Sequence, residues 1–109
     1  MKKTTIQDIQ KLKNCETPFA TLTAYDFTSA RLVDQANIPL ILVGDSAAMV
    51  VFGYDTTIPV SMEEMGFLVA SVSRGASQAL VVADMPFLSY QVSTENAILN
   101  AGHFVKKSG

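Results

Sequence analysis

Three observations predict a parallel α/β fold. Short apolar runs recur at Phe19 to Ala24, Leu40 to Val43 and Ala79 to Ala83, too brief for helices and partly β-branched. The second and third are continuous apolar segments, as expected for strands covered on both faces of a parallel sheet. Each run is followed by a segment whose apolar residues recur at helical spacing, and alternation of strand and helix is the pattern that right-handed crossovers turn into a parallel sheet.

The elements can be justified in order. Over 5–13, Ile6, Ile9 and Leu12 lie three apart among polar residues, which predicts an amphipathic helix lying across the end of something larger. The first strand-helix unit spans about 19–37: the strand runs into Tyr25-Asp26, Asp26 is placed to cap the helix of Phe27, Ala30, Val33 and Ala36, and Asn37-Ile38-Pro39 stops it. The second unit spans about 39–76. Its strand ends in Gly44-Asp45, and Ser46 to Val60 forms a connection of about fifteen residues where roughly 2 to 6 are usual, which marks it as functional and a mobile cover for a ligand. Ser61 and Glu64 form a capping box for a helix with Met62, Met65, Val69, Val72 and Ala76 on one face, and Gly75 marks its end. The third unit spans about 79–108. Its strand ends in Asp84, Ser93 caps the last helix, Ala97, Ile98, Ala101, Phe104 and Val105 are expected to face inward, and Lys106 and Lys107 complement the helix dipole.

The 109 residues, 49% hydrophobic and 17% charged, amount to one small domain. The net charge of −2, with no basic block, gives no footprint for nucleic acid or an anionic membrane surface. No apolar run approaches the ~18 residues a membrane helix needs, and nothing resembles a signal peptide, so the expected location is the cytoplasm. The single Cys15 agrees with a reducing compartment. A doubly wound sheet would normally carry a Gly-rich phosphate loop after its first strand, and neither that motif nor a Walker motif occurs. The alternative is a (β/α)8 TIM barrel, whose catalytic residues sit at the C-terminal ends of strands, where Asp26, Asp45 and Asp84 fall. A barrel needs about 250 residues, so residues 1–109 form a partial domain: the N-terminal three of eight units, preceded by a short helix.

Asp45 and Asp84 are followed by loops, so helix capping explains them less well than it explains Asp26. Two carboxylates from neighbouring strand ends suit a hard cation such as Mg²⁺, which takes oxygen ligands and keeps positions open for water and substrate. A metal pair and a purely structural pair both stay open on this ground. Asp55 reads as support for its own turn. Ser46 has no adjacent His to activate it, but its hydroxyl and backbone N–H suit a carboxylate or oxyanion. Tyr25 fits either a ligand mouth or packing, and His103, without ligands at metal spacing, reads as a helix-packing or surface residue.

Thr23-Ala24-Tyr25-Asp26, Val43-Gly44-Asp45-Ser46 through Gly53-Tyr54-Asp55-Thr56-Thr57-Ile58-Pro59-Val60, and Ala79-Leu80-Val81-Val82-Ala83-Asp84-Met85-Pro86-Phe87 with Ser89-Tyr90-Gln91 closely resemble the ketopantoate hydroxymethyltransferase family. The resemblance runs from about Thr5 to Gly109 and covers less than half of a normal member. It implies a (β/α)8 barrel, a large homo-oligomer (decameric in the family), and transfer of a hydroxymethyl group from 5,10-methylenetetrahydrofolate to 3-methyl-2-oxobutanoate in pantothenate biosynthesis, through a Mg²⁺-stabilised enolate. It further implies that Asp45 and Asp84 bind the metal and, with Ser46, the keto acid. The family's third acidic residue of the metal site, its substrate lysine and its glutamate base match no position here, so no catalytic residue is assigned. Ala48 and Leu88 stand where the family usually has glycine. Two alternatives accompany this reading: a non-catalytic truncated product, and a related Mg²⁺-dependent barrel that cleaves or rearranges 2-oxo acids. A three-unit piece would leave a sheet edge unpaired and helix faces uncovered, so the chain alone is expected to associate and to show no turnover.

Overall fold

The computed structural model describes residues 2–109. Helix α1 (Ile6–Lys13) is followed by β1 (Thr21–Thr23), α2 (Phe27–Gln35), β2 (Leu40–Val43), a short α3 (Ala47–Val50), α4 (Met62–Gly75), β3 (Leu80–Ala83) and α5 (Thr94–Ser108). Local chemistry sets most boundaries. Thr5 and Asp8 form a capping box for α1, Asp26 accepts the Ser29 N–H at the start of α2, Ser61 and Glu64 box the start of α4, and Ser93 accepts the Asn96 N–H before α5. Asn37, just past the Ala36 C-cap, adopts φ +63°, a left-handed helix exit that asparagine tolerates.

The three strands are parallel in the order β1-β2-β3, with Thr21, Leu40 and Leu80 level and Val43 opposite Ala83. Helix α4 packs against α2 and α5 and touches β2 and β3. Ile41, Val43, Met65 and Val72 are wholly buried where sheet and helices meet. Gly75 allows the closest approach: a Cβ there would lie 2.6 Å from the Phe27 carbonyl oxygen and 3.0 Å from the Ala30 Cβ, so only glycine fits between α4 and α2.

Cover on both strand faces is not what the structure shows. Ile41 and Val43 of β2 are buried, whereas Leu40 and Leu42, which point to the opposite face, are partly exposed, and Val82 on β3 is exposed. The reason is that α2, α4 and α5 supply one layer and no described element supplies a second. Helix α5 departs from expectation in the same way. Phe104 is buried, but Ile98, Ala101 and Val105 are exposed, because among the described residues α4 is the only helix against which α5 packs closely. At the opposite end of the sheet, the Thr4 N–H donates to the Gln78 carbonyl and α1 shares a cleft with Pro39, so the N-terminal segment does lie across the strand starts. No helix among the described residues is long and apolar enough to cross a membrane.

Candidate metal and substrate site

The ends of β2 and β3 converge through the backbone. The Asp84 N–H donates to the Val43 carbonyl at 3.0 Å, extending the ladder one residue beyond β3. The Asp84 side chain then turns back over β2, where Oδ2 accepts the Asp45 N–H at 3.0 Å. Gly44 makes room for this: a Cβ at that position would stand 3.4 Å from Asp84 Oδ2 and 3.2 Å from Ser46 Oγ. Asp45 and Asp84, 39 residues apart in sequence, are thereby held together at one strand end.

From the other side comes Tyr25. The Ala24 N–H bonds to the Leu42 carbonyl, carrying the β1–β2 pairing past Thr23 and bringing Tyr25 out beside the end of β2. The Tyr25 hydroxyl and Ser46 Oγ are 2.6 Å apart. Tyr25, Asp45, Ser46 and Asp84 therefore gather at the C-terminal end of the sheet. Asp26 does not join them as a ligand: its carboxylate caps α2, and the Ser29 N–H it accepts at 2.7 Å holds its pKa below the ordinary value.

The connection after Asp45 is more ordered than an open loop. Ala47, Ala48 and Met49 donate to Gly44, Asp45 and Ser46 carbonyls, winding the chain into α3. Ala-Ala-Met favours helix, but four residues are too few to produce a readable periodicity. Further on, the Tyr54 N–H bonds to the Ala48 carbonyl at 2.8 Å and the Tyr54 hydroxyl donates to Glu64 at 2.8 Å, tying the segment to the first turn of α4. The Tyr54 hydroxyl pKa is raised because ionisation would forfeit that bond and place a second negative charge beside Glu64. The turn's own backbone support comes from Thr56 Oγ1, which accepts the Ile58 N–H, and not from Asp55 as expected.

The two positions where glycine was expected behave differently. Ala48 is wholly buried and lies outside the left-handed region, so its methyl group is accommodated. Leu88 adopts φ +67°, where a Cβ is strained. Its N–H is held by Gln91 Oε1 at 2.7 Å, while Ser89 bonds to the Pro86 carbonyl and Asn100 to the Ser89 carbonyl, which fixes the loop after Asp84 in this conformation.

The donor set fits a hard divalent cation. Among the described residues the Asp45 carboxylate accepts no hydrogen bond and Asp84 commits only Oδ2, so three carboxylate oxygens remain available. No third His, Cys, Asp or Glu joins them to form a larger group able to hold a metal among the described residues. His103 stands apart, lining a groove of about 520 Å³ between α4 and α5 with Phe67, Phe104 and Lys107.

Sequence reading passed over one residue. Asp34, 5% exposed, accepts hydrogen bonds from Ser77 N (3.1 Å), Ser77 Oγ (2.8 Å), Gln78 N (3.0 Å) and Ala79 N (2.8 Å), fastening the end of α2 to the turn that leads into β3. Its signal was an acid four residues after Ala30 on the apolar stripe of α2. Burial works to raise its pKa, but the Ala79 N–H, the Ser77 hydroxyl and the Gln78 and Ser77 N–H groups outweigh it and hold the pKa below the ordinary value.

The chain is similar to known proteins over nearly its whole length. A family model described as ketopantoate hydroxymethyltransferase matches residues 3–109. Curated relatives named 3-methyl-2-oxobutanoate hydroxymethyltransferase include proteins from Dehalococcoides mccartyi (49% identical, covering 98% of this chain and 38% of the relative) and Thermobifida fusca (51%, 99% and 39%). One from Staphylothermus marinus is 54% identical and covers 97% of this chain and 39% of the relative. The chain thus spans about 38% of the length of these curated relatives.

Proposed function

The chain belongs to the ketopantoate hydroxymethyltransferase family, and we propose that its strand-end cluster binds and activates 3-methyl-2-oxobutanoate for hydroxymethyl transfer from 5,10-methylenetetrahydrofolate. The observation that carries this reading is the seating of Asp84 over β2: one of its oxygens is anchored on the Asp45 N–H, while its other oxygen and both oxygens of Asp45 accept no hydrogen bond among the described residues.

In this proposal Asp45 and Asp84 hold Mg²⁺, which when bound supplies Lewis-acid polarisation of the 2-oxo acid. The backbone anchor on Asp84 fixes the carboxylate before any ligand arrives, so less ordering remains to be done on binding. Ser46, exposed beside Asp45, offers its hydroxyl to the substrate carboxylate. In the reaction itself a proton leaves C3 of the keto acid, the resulting carbon nucleophile forms a C–C bond to the one-carbon unit, both C–N bonds between that unit and the folate break, and one water supplies the new hydroxyl, its other proton and the C3 proton going to the two folate nitrogens. We assign no general base among residues 2–109. Closure of the sheet into a (β/α)8 barrel, assembly as a homo-oligomer and action in the cytoplasm belong to the same reading. The sequential strand order and the exposed Leu99 and Val105 support the first two, and the single exposed Cys15 agrees with the third.

The test has two parts. In the chain itself, Mn²⁺ should selectively broaden the NMR resonances of Asp45, Ser46 and Asp84, and Asp45→Ala should remove the effect. In a full-length polypeptide carrying these residues, Asp45→Ala should abolish Mg²⁺-dependent exchange of the C3 proton of 3-methyl-2-oxobutanoate with deuterium. Unchanged exchange would overturn the ligand assignment. Cleavage of a C–C bond without folate would select a lyase.

A further inference from the structure

Resting on the reading of Ser46 as a substrate contact, we propose that Tyr25 is a positioning residue that aims the Ser46 hydroxyl at the substrate carboxylate. Ser46 occupies the N-cap position of α3, where a serine side chain ordinarily accepts a backbone N–H, yet it makes no such bond. Its oxygen lies 2.6 Å from the Tyr25 hydroxyl instead. Two hydroxyls in contact hold two protons and use one between them, so one O–H is left to donate elsewhere. When Tyr25 donates, the Ser46 O–H is the free one and is left to donate to an acceptor other than the tyrosine.

Tyr25 is suited to this work because it is held at both ends. Its backbone leaves β1 beside β2 through the Ala24–Leu42 hydrogen bond, and its partly buried ring packs against the core. Ser46, by contrast, is exposed, and a serine hydroxyl alone is free to rotate. The tyrosine therefore removes rotational freedom from a group that has to meet a carboxylate in one direction, which is the kind of preorganisation that strengthens binding without a new contact to the ligand.

The experiment is a double-mutant cycle on binding. 3-Methyl-2-oxobutanoate labelled with ¹³C at its carboxylate is titrated with Mg²⁺ into the chain and into Tyr25→Phe, Ser46→Ala and the double variant, with affinity read from the carboxylate ¹³C signal. Tyr25→Phe keeps the ring and its packing, so far-UV circular dichroism should not change. Each single substitution is expected to weaken binding by about 5- to 10-fold, and the double variant to be no weaker than Ser46→Ala alone, because Tyr25 acts only through Ser46. Ser46→Thr, which keeps a hydroxyl, should retain sensitivity to Tyr25→Phe. Wild-type affinity in Tyr25→Phe, or losses that multiply in the double variant, would overturn the proposal. Full affinity in Ser46→Ala, or absence of saturable binding to the unsubstituted chain, would overturn the site reading itself and the tyrosine's role with it.

Discussion

Replacing Asp34 by alanine should remove the fastening between α2 and the start of β3, and the size of the loss can be worked from its four bonds. Ser77 is exposed, so its N–H and hydroxyl recover water when the carboxylate goes, and their loss is small. Gln78 is half-buried and loses a bond to a charged acceptor, worth roughly 1.5 kcal/mol. Ala79 is 1% exposed, so its N–H would be left with neither carboxylate nor water, a penalty of about 1 to 3 kcal/mol. Relief from burying the charge offsets part of this, and the expected net loss is about 2 to 4 kcal/mol. Asp34→Asn should lose roughly half as much, since its amide oxygen can serve the buried donors while its NH₂ faces the others. The assay is urea unfolding followed by far-UV circular dichroism at one fixed protein concentration, because association would shift apparent stability.

The pH dependence supplies a second check. Asp34 has a folded-state pKa below the ordinary carboxylate value of 3.8, so its contribution is fully present above that value and is lost as pH falls through the folded-state pKa. The stability gap between the parent and Asp34→Ala should therefore be constant near neutrality and begin to narrow only below about pH 3.8. Acids common to both proteins, such as Asp26 and Glu64, cancel in the difference. Losses under about 0.5 kcal/mol in both variants, or a gap that narrows at neutral pH, would refute the reasoning.

Gly75→Ala should lower stability by about 1 to 3 kcal/mol in the same assay, since the added methyl group meets the Phe27 backbone at 2.6 Å and backbone cannot rotate away. Asp26→Ala should cost about 0.5 to 2 kcal/mol through loss of its cap while leaving the Mn²⁺ broadening at Asp45 and Asp84 intact, which separates scaffold from site. At Leu88 the two directions of change should give opposite signs. Leu88→Gly relieves the strain at φ +67° and should be neutral or stabilising by up to about 1 kcal/mol, whereas Leu88→Val, β-branched in the same conformation, should destabilise, as thermal melts will report.

The order of elements and most of their ends were legible in the sequence, because each signal acts within about four residues. Asp26 caps the helix that begins at Phe27, Ser61 and Glu64 close their box over one turn, and Asn37 and Gly75 stand where their helices stop. The acids at the ends of β2 and β3 could be read off as well, since apolar runs and the residues that terminate them are contiguous. By itself the chain determined a parallel α/β arrangement with Asp45, Ser46 and Asp84 at one end of it.

What only the tertiary structure decided are the partnerships between distant residues and the extent of cover. Asp84 meets the Asp45 N–H across 39 residues, Tyr25 meets Ser46 across 21, and Asp34 meets Ala79 across 45. Strand register fixes all three, and register follows from burying Ile41 and Val43 against α4, a requirement that no local window of sequence contains. The open face of the sheet and the exposed Ile98 and Val105 have the same origin: apolar spacing says which side of an element can be buried, and only the neighbouring layers determine whether it is.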